Sequence, residues 1–228
     1  MNGPLFWLNT RFGGAVDLLE PTPAMIDFDE IAESLGQQAR FGGHTTLHWS
    51  VAEHSLLCAR EASREAAPYA LLHDAHEALI GDLMTPVKHA LFWSLAGLPN
   101  APTGRSEPDR DTAVTLHRTI LDRFAAFEER HLAAIHAAAG LPWPPPPTIA
   151  EEVRALDLRA LVTERRDLVI RSPLPWGREV EAARPFRRVV RPSRPLQAAA
   201  DWIGEARRLL PCLTRRPFLA ARSSETRR

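Results

Sequence analysis

The segment PYALLHDAHEALIGDL, Pro68–Leu83, carries the strongest structural signal in the chain. Apolar residues dominate it, with the spacing of a buried or half-buried helix. His73 and Asp74 nevertheless sit side by side in its middle. Burying an imidazole and a carboxylate is costly unless something pairs with them, and a divalent cation would do so. Neighbouring helical residues project about 100° apart, so the two can grip one ion from adjacent directions. Glu77 follows on the same face and brings a second carboxylate to that spot.

Upstream, Ser50-Val51-Ala52-Glu53 has the S-x-x-E pattern of a capping box and opens a helix that carries His54, Leu57 and Cys58 and runs to about Ser63. Before it, Phe28, Ile31, Ala32 and Leu35 predict an amphipathic helix from Asp27 to about Arg40, ended by the turn Gly42-Gly43. Residues 1–25 read as irregular or short-strand structure, punctuated by Gly13, Gly14, Pro21 and Pro23. Downstream come a turn over Asp82–Pro86, a short helix over Val87–Trp93 and a loop over Gly97–Pro108. A long helix over Asp109–Ala139 follows, with Leu116, Ile120, Phe124, Phe127 and Leu132 as core candidates and Gly140 as its stop. The run Pro142–Pro147, PWPPPP, is a stiff spacer. Thr148–Glu151 reads as a second capping box, opening a helix that contains Leu156, Asp157, Leu161 and Glu164. Prolines between Pro173 and Pro195 mark an irregular connection. A last amphipathic helix spans about Leu196–Leu210 and includes Trp202. The expectation is an all-α helical bundle. Its main domain spans 26–170, the proline-rich connection and final helix (171–210) pack on that domain, and the basic tail 211–228 is disordered.

The bulk numbers restrict the function. The chain has 228 residues, 45% of them apolar, enough for one domain with a real core. Lys+Arg and Asp+Glu both number 28, so the formal charge is zero, which argues against a strongly basic, sequence-independent nucleic-acid binder and leaves room for a local basic phosphate pocket. The two cysteines form no disulfide framework, and Cys58 reads as a small core residue. A reducing, cytoplasmic setting is therefore expected. No apolar run reaches the ~20 residues of a membrane helix.

Three predicted helices thus offer buried-looking polar residues: His54, then His73 and Asp74, then Asp157. Two imidazoles and two carboxylates suit one divalent ion from the set Co, Mn, Zn, Ni, Fe and Mg, held at a bundle core. His48, His76, His89, His117, His131 and His136 have no supporting pattern.

The arrangement H…HD…D resembles the HD-domain metal-dependent phosphohydrolases. The segments FGGHTTLHWSVAEHSLL (Phe41–Leu57), ALLHDAHEALIGDLMTPVK (Ala70–Lys88) and ALDLRALVTERRDL (Ala155–Leu168) are similar to the branch of bacterial 5′-deoxynucleotidases and phage-type dATP triphosphohydrolases, as is PTPAMIDFDEIAESL near the start. The resemblance implies His54, His73, Asp74 and Asp157 as metal ligands and Glu77 as the residue that activates or holds the attacking water. His73, Asp74 and Glu77 then form the catalytic group. It further implies that Arg40 contacts the phosphate, that Phe41 follows it as the aromatic residue of the pocket, that Asp82 shapes the nucleoside side, and that His44 and Lys88 belong to the substrate pocket. His54 and His73 are 19 positions apart, a shorter link than that branch has, which trims the substrate-facing side. The expected activity is 5′-dephosphorylation of deoxyribonucleoside monophosphates, with a small-molecule nucleotide as partner and a homo-oligomer, dimer or larger, as the assembly. The competing readings are a dNTP triphosphohydrolase, a non-catalytic nucleotide or metal sensor, and an interaction module built on Pro142–Pro147.

Overall fold

The computed structural model describes residues 3–96 and 107–214. Residues 1–25 contain a short antiparallel hairpin, β1 (Trp7–Asn9) and β2 (Ala15–Asp17), with Leu8 opposite Val16. All other regular structure among the described residues is helical, apart from one isolated bridge between Ala39 and Ser50. The expected all-α class holds.

Asp27 caps α1 (Phe28–Gln37) by accepting the N–H groups of Asp29 and Glu30. The helix stops three residues before Arg40, because Gln38 turns extended and the Ala39–Ser50 bridge takes over the backbone. Ser50 then opens α2 (Val51–Glu61) through the expected capping box. Glu53 accepts from both the N–H and the hydroxyl of Ser50, and its own N–H donates to the Ser50 oxygen. The other oxygen of Glu53 accepts the N–H (2.6 Å) and hydroxyl (3.1 Å) of Ser193, far along the chain.

The helix expected over Pro68–Leu83 is broken in two. α3 (Ala67–Leu72) ends at His73, and α4 (Glu77–Ile80) resumes after a run of turns. Within the break, Ala75 N–H reaches Leu72 O and Glu77 N–H reaches Asp74 O, a tighter i→i+3 pattern. α5 (Thr85–Leu95) and α6 (Glu107–Ala139) pack against each other, and α6 ends at Gly140 with φ +78°. Its core face lies further along than the sequence predicts. Ala134, Ile135 and Ala139 are buried, whereas Leu116 is 44% exposed and Ile120, Phe124, Phe127 and Leu132 are half-buried. Only the second half of α6 meets the main core. His131 and His136 are fully buried there. Each donates Nδ1–H to a carbonyl one turn back, and burial holds His136 down at about 4.

α7 (Pro147–Leu168) begins without the second capping box. Pro147 occupies the first turn, so Thr148 lies inside the helix and makes no cap bond. A short α8 (Arg178–Ala182) interrupts the proline-rich connection, which leads into α9 (Pro195–Leu209) and the turn α10 (Pro211–Thr214). Of the two expected irregular segments, 97–106 in the loop and 215–228 in the tail lie outside the described residues.

The core joins α1, α2, α3, the ends of α6 and α7, and α9. Trp202 of α9 is fully buried, and with Ala198, Ala199 and Ala206 it packs inside the chain. Gly36 allows the close approach of α1 to α9. A Cβ there would lie 2.6 Å from the Pro195 carbonyl oxygen and 3.0 Å from Ala199 Cβ. Gly36→Ala is therefore expected to cost about 1–3 kcal/mol of stability, a Tm drop of roughly 2–10 °C. An unchanged melting curve would show that the two helices slide apart freely.

Candidate metal centre

The buried face of α2 carries His54, which is 0% exposed. α3 delivers His73 at its C-terminal end, the following turn delivers Asp74, and α7 delivers Asp157. Their polar atoms converge. His54 Nε2 lies 3.2 Å from His73 Nε2, 3.5 Å from Asp74 Oδ2 and 3.1 Å from Asp157 Oδ1. His73 Nε2 lies 3.2 Å from Asp74 Oδ2 and 3.9 Å from Asp157 Oδ1.

The outer ring nitrogens fix which way the inner ones present themselves. His73 Nδ1 is 2.8 Å from the Ala70 carbonyl, which can only accept, so this nitrogen carries a proton. His54 Nδ1 is 2.6 Å from Glu164 Oε1 and donates to it. Burial opposes ionisation of Glu164, but Arg40 and then His54 hold its carboxyl below the usual range. Both Nε2 atoms therefore face the two aspartates with lone pairs, and four acceptor atoms share one small space. Such a cluster needs positive charge at its centre, so the donor set fits a divalent ion.

Without an ion, protons fill that need. Burial alone would lower the His73 pKa, yet Asp74 raises it to about 10. Burial and Arg40 oppose protonation of His54, but Glu164, Cys58 and Asp157 carry it well above its ordinary value. Burial opposes ionisation of Asp74 and Asp157 too. The two rings and Arg40 hold Asp74 well below the carboxylate range, and the bond to His54 lowers Asp157. A metal must displace these ring protons. Affinity for a divalent ion is thus expected to rise by about tenfold per pH unit for each proton displaced, across the range below the His73 value of about 10. Chelator competition at several pH values measures this, and pH-independent binding would mean that the rings are already unprotonated.

Arg40 and Glu164 form the buried frame. Arg40 Nε lies 3.2 Å from Glu164 Oε2, and Nη1 lies 3.2 Å from Asp74 Oδ2. Burial would lower the Arg40 pKa, but Glu164 and Asp74 keep the guanidinium charged. Gln38 positions the next segment. Its Nε2 donates to the Glu77 carbonyl and to Ser34 Oγ, and its Oε1 accepts Asp82 N–H. Glu77 Oε2 is buried with no hydrogen-bond partner. Burial, then Asp74 and Asp82, push the Glu77 carboxyl well above its usual range, against the pull of Arg40 and His54. Burial likewise raises Asp82, with Arg40 opposing.

The remaining expected pocket residues are more scattered. Phe41 has φ +57°, uncommon for a residue with a Cβ, and packs 5.9 Å from Trp176 with the Arg40 guanidinium 5.8 Å from its ring. Gly42 shares that left-handed turn, where a Cβ would meet Met84 Cε at 2.8 Å. His44 is exposed at the end of the turn, its N–H bonded to Phe41 O. Lys88 is held by Glu128 of α6 at 2.6 Å and lies over the Phe124 ring.

Two residues escape the sequence reading. Glu164 orients His54 from a position two turns beyond Asp157 on α7, and only its apolar neighbours Val162 and Leu168 hint at burial. Cys58, one turn after His54, is fully buried, and its Sγ lies 3.8 Å from His54 Nε2. Sγ and the two Nε2 atoms lie within 4.8 Å of one another, so His54, Cys58 and His73 could together hold a metal ion. Among the described residues, no helix is long and apolar enough to cross a membrane.

No family model matches the chain. It is 34% identical to an uncharacterized protein of Rhodobacter capsulatus over 161 residues, 66% of this chain and 67% of that one. It is also 34% identical to the uncharacterized protein YfdR of Escherichia coli strain K12 over 143 residues, 63% of this chain and 61% of YfdR. The chain thus spans about two thirds of the first relative and less of the second. At that identity and coverage, it belongs to the family of the uncharacterized Rhodobacter capsulatus protein.

Proposed function

We propose that the protein is a metal-dependent phosphohydrolase acting on nucleotides, and that its reaction is removal of the 5′-phosphate from deoxyribonucleoside monophosphates. The observation that carries this reading is the convergence of His54, His73, Asp74 and Asp157, together with a Glu77 carboxylate that has a partnerless buried oxygen and interacts electrostatically with Asp74, Arg40 and His54. The resemblance of the segments around His54, His73-Asp74 and Asp157 to the HD phosphohydrolases supports it.

A divalent ion held by those four residues would supply Lewis acidity toward a phosphate ester and make water acidic enough to attack at neutral pH. Glu77 accepts the proton of the attacking water, a role suited by its raised pKa. Attack on phosphorus breaks the bond to the sugar oxygen, which leaves as the nucleoside hydroxyl after taking up a proton. Arg40 uses Nε and Nη1 on Glu164 and Asp74, and its remaining N–H donors offset charge on the phosphoryl oxygens. Phe41 and Trp176 offer aromatic surface beside it for the base. The side chain of Asp157 is 46% exposed against 0% for His54, so substrate and water enter from the α7 side.

The test strips the protein of metal and restores Mn, Co, Ni, Zn, Fe(II) or Mg separately. Each form meets panels of dNMPs, NMPs and dNTPs, beside a His73→Ala, Asp74→Ala control, with products resolved by chromatography. Metal-dependent phosphate release from dNMPs, absent in the control, is the expected result. Triphosphate release from dNTPs would replace the reaction with that of a triphosphohydrolase. Binding of metal and nucleotide without turnover would leave a sensor.

A further inference from the structure

Cys58 stands one helical turn after His54, so the two side chains share one face of α2. The helix is buried there on all sides, and Cys58 is 0% exposed. Its sulfur reaches the same nitrogen, His54 Nε2, that faces His73, Asp74 and Asp157. Helix spacing brings the thiol to His54, and what sets it apart from an ordinary core cysteine is the set of polar atoms gathered at the same nitrogen. As a hydrogen-bond donor it would compete for a lone pair already facing three other polar atoms at 3.1–3.5 Å.

We propose that Cys58 is a ligand of the metal centre, and that its sulfur makes the site one for thiophilic divalent ions such as zinc or cobalt rather than magnesium. The donor spacing supports this. Metal–nitrogen bonds of about 2.0–2.1 Å and metal–sulfur bonds of about 2.3 Å put neighbouring donors of a five- or six-coordinate centre, about 90–120° apart, about 2.9–3.6 Å from each other for two nitrogens and about 3.1–3.8 Å for nitrogen and sulfur. The two histidine nitrogens are 3.2 Å apart, and Sγ is 3.8 Å from His54 Nε2. Magnesium instead demands oxygen donors and tight octahedral spacing. Thiolate and imidazole donors select zinc and its neighbours. Exposure adds a direction. Cys58 and His54 form the closed floor of the centre, whereas Asp157 stands at its open side. Binding would expel the thiol proton along with those of the rings, because the thiolate is the ligand form.

The inference rests on the metal centre of the proposed function but not on its substrate. The experiment therefore needs no turnover. Metal-free protein is titrated with Co(II), and its absorption is recorded. A thiolate ligand gives an intense sulfur-to-cobalt charge-transfer band in the near ultraviolet, separate from the weaker visible bands of any bound cobalt. The expected result is that band in the wild-type protein, its loss in Cys58→Ser with visible bands retained, and its persistence in Cys212→Ser. Zinc should also displace magnesium from the wild type but lose much of that preference in Cys58→Ser. Should Cys58→Ser fail to fold, Cys58→Ala and the wild-type spectrum still decide the matter. Bound cobalt without the charge-transfer band in the wild type overturns the inference, as does failure to bind cobalt at all. A clear band with no hydrolysis of any nucleotide would sink the nucleotide-hydrolase reading and leave the ligand assignment standing.

Discussion

Replacing Glu164 with alanine is expected to destabilise the protein by about 3–5 kcal/mol, a fall in Tm on the order of 10 °C for a chain of this size. Glu164 is fully buried and meets Arg40 and His54 at once. Its removal leaves the Arg40 guanidinium in the interior with only Asp74 opposite, and His54 Nδ1–H with no acceptor. The stability it provides depends on pH with a definite sign. Its folded carboxyl lies below the usual range, so its contribution is complete above the unfolded value of about 4.3 and fades as pH falls through the folded one. Under the proposed function, metal affinity should drop as well, by about 10–100-fold, because the His54 imidazole loses the group that fixes its orientation. Glu164→Gln keeps an acceptor for His54 and should fall between the two. Thermal melting and metal titration of both variants measure this. A Tm within about 2 °C of the wild type would show that the frame is not under the strain that an unpaired buried charge implies.

Glu77→Gln should abolish most of the activity and leave the metal in place. The substitution conserves shape, and Glu77 lies outside the four converging residues, so metal content and Tm should barely change. If Glu77 takes the proton from water, kcat should fall by about 10²–10⁴-fold. Any acid limb in the wild-type rate that Glu77 ionisation sets follows from the fact that only the ionised carboxylate is a base. That acid limb should vanish in the variant. A Glu77→Gln protein with a rate within about threefold of wild type would assign the proton to another acceptor.

The residues most legible in the sequence are those whose chemistry contradicts their surroundings. His73 and Asp74 stand out because polar groups interrupt an apolar run, and the structure brings both to the cluster. The capping box at Ser50 is readable because it is local, involving four consecutive residues. The pattern at Thr148 is equally local and misleads, because Pro147 can begin a helix one position earlier than the cap requires. The break between α3 and α4 leaves no trace in the apolar spacing, since a tightened turn keeps almost the same periodicity as a helix. On α6, periodicity marks an apolar face but not which half of the helix meets the core. Glu164 and Cys58 are hidden for a different reason. A glutamate in a charged helix and a cysteine in an apolar one are each ordinary, and only their distances to His54 single them out.

The Glu53 carboxylate, shared between the start of α2 and the backbone of Ser193, has a consequence for how the protein is made. Synthesis delivers His54, His73 and Asp74 early, but the partner that completes the Glu53 clasp is 140 positions later. Trp202, which fills the core behind α2, comes later still. A nascent chain still attached at its C-terminal end therefore carries a nearly complete set of metal donors on helices that have no finished core. Packing around the centre is complete only once Ser193 and Trp202 have joined α2. Metal capture before that point would meet a looser set of donors than the folded protein presents.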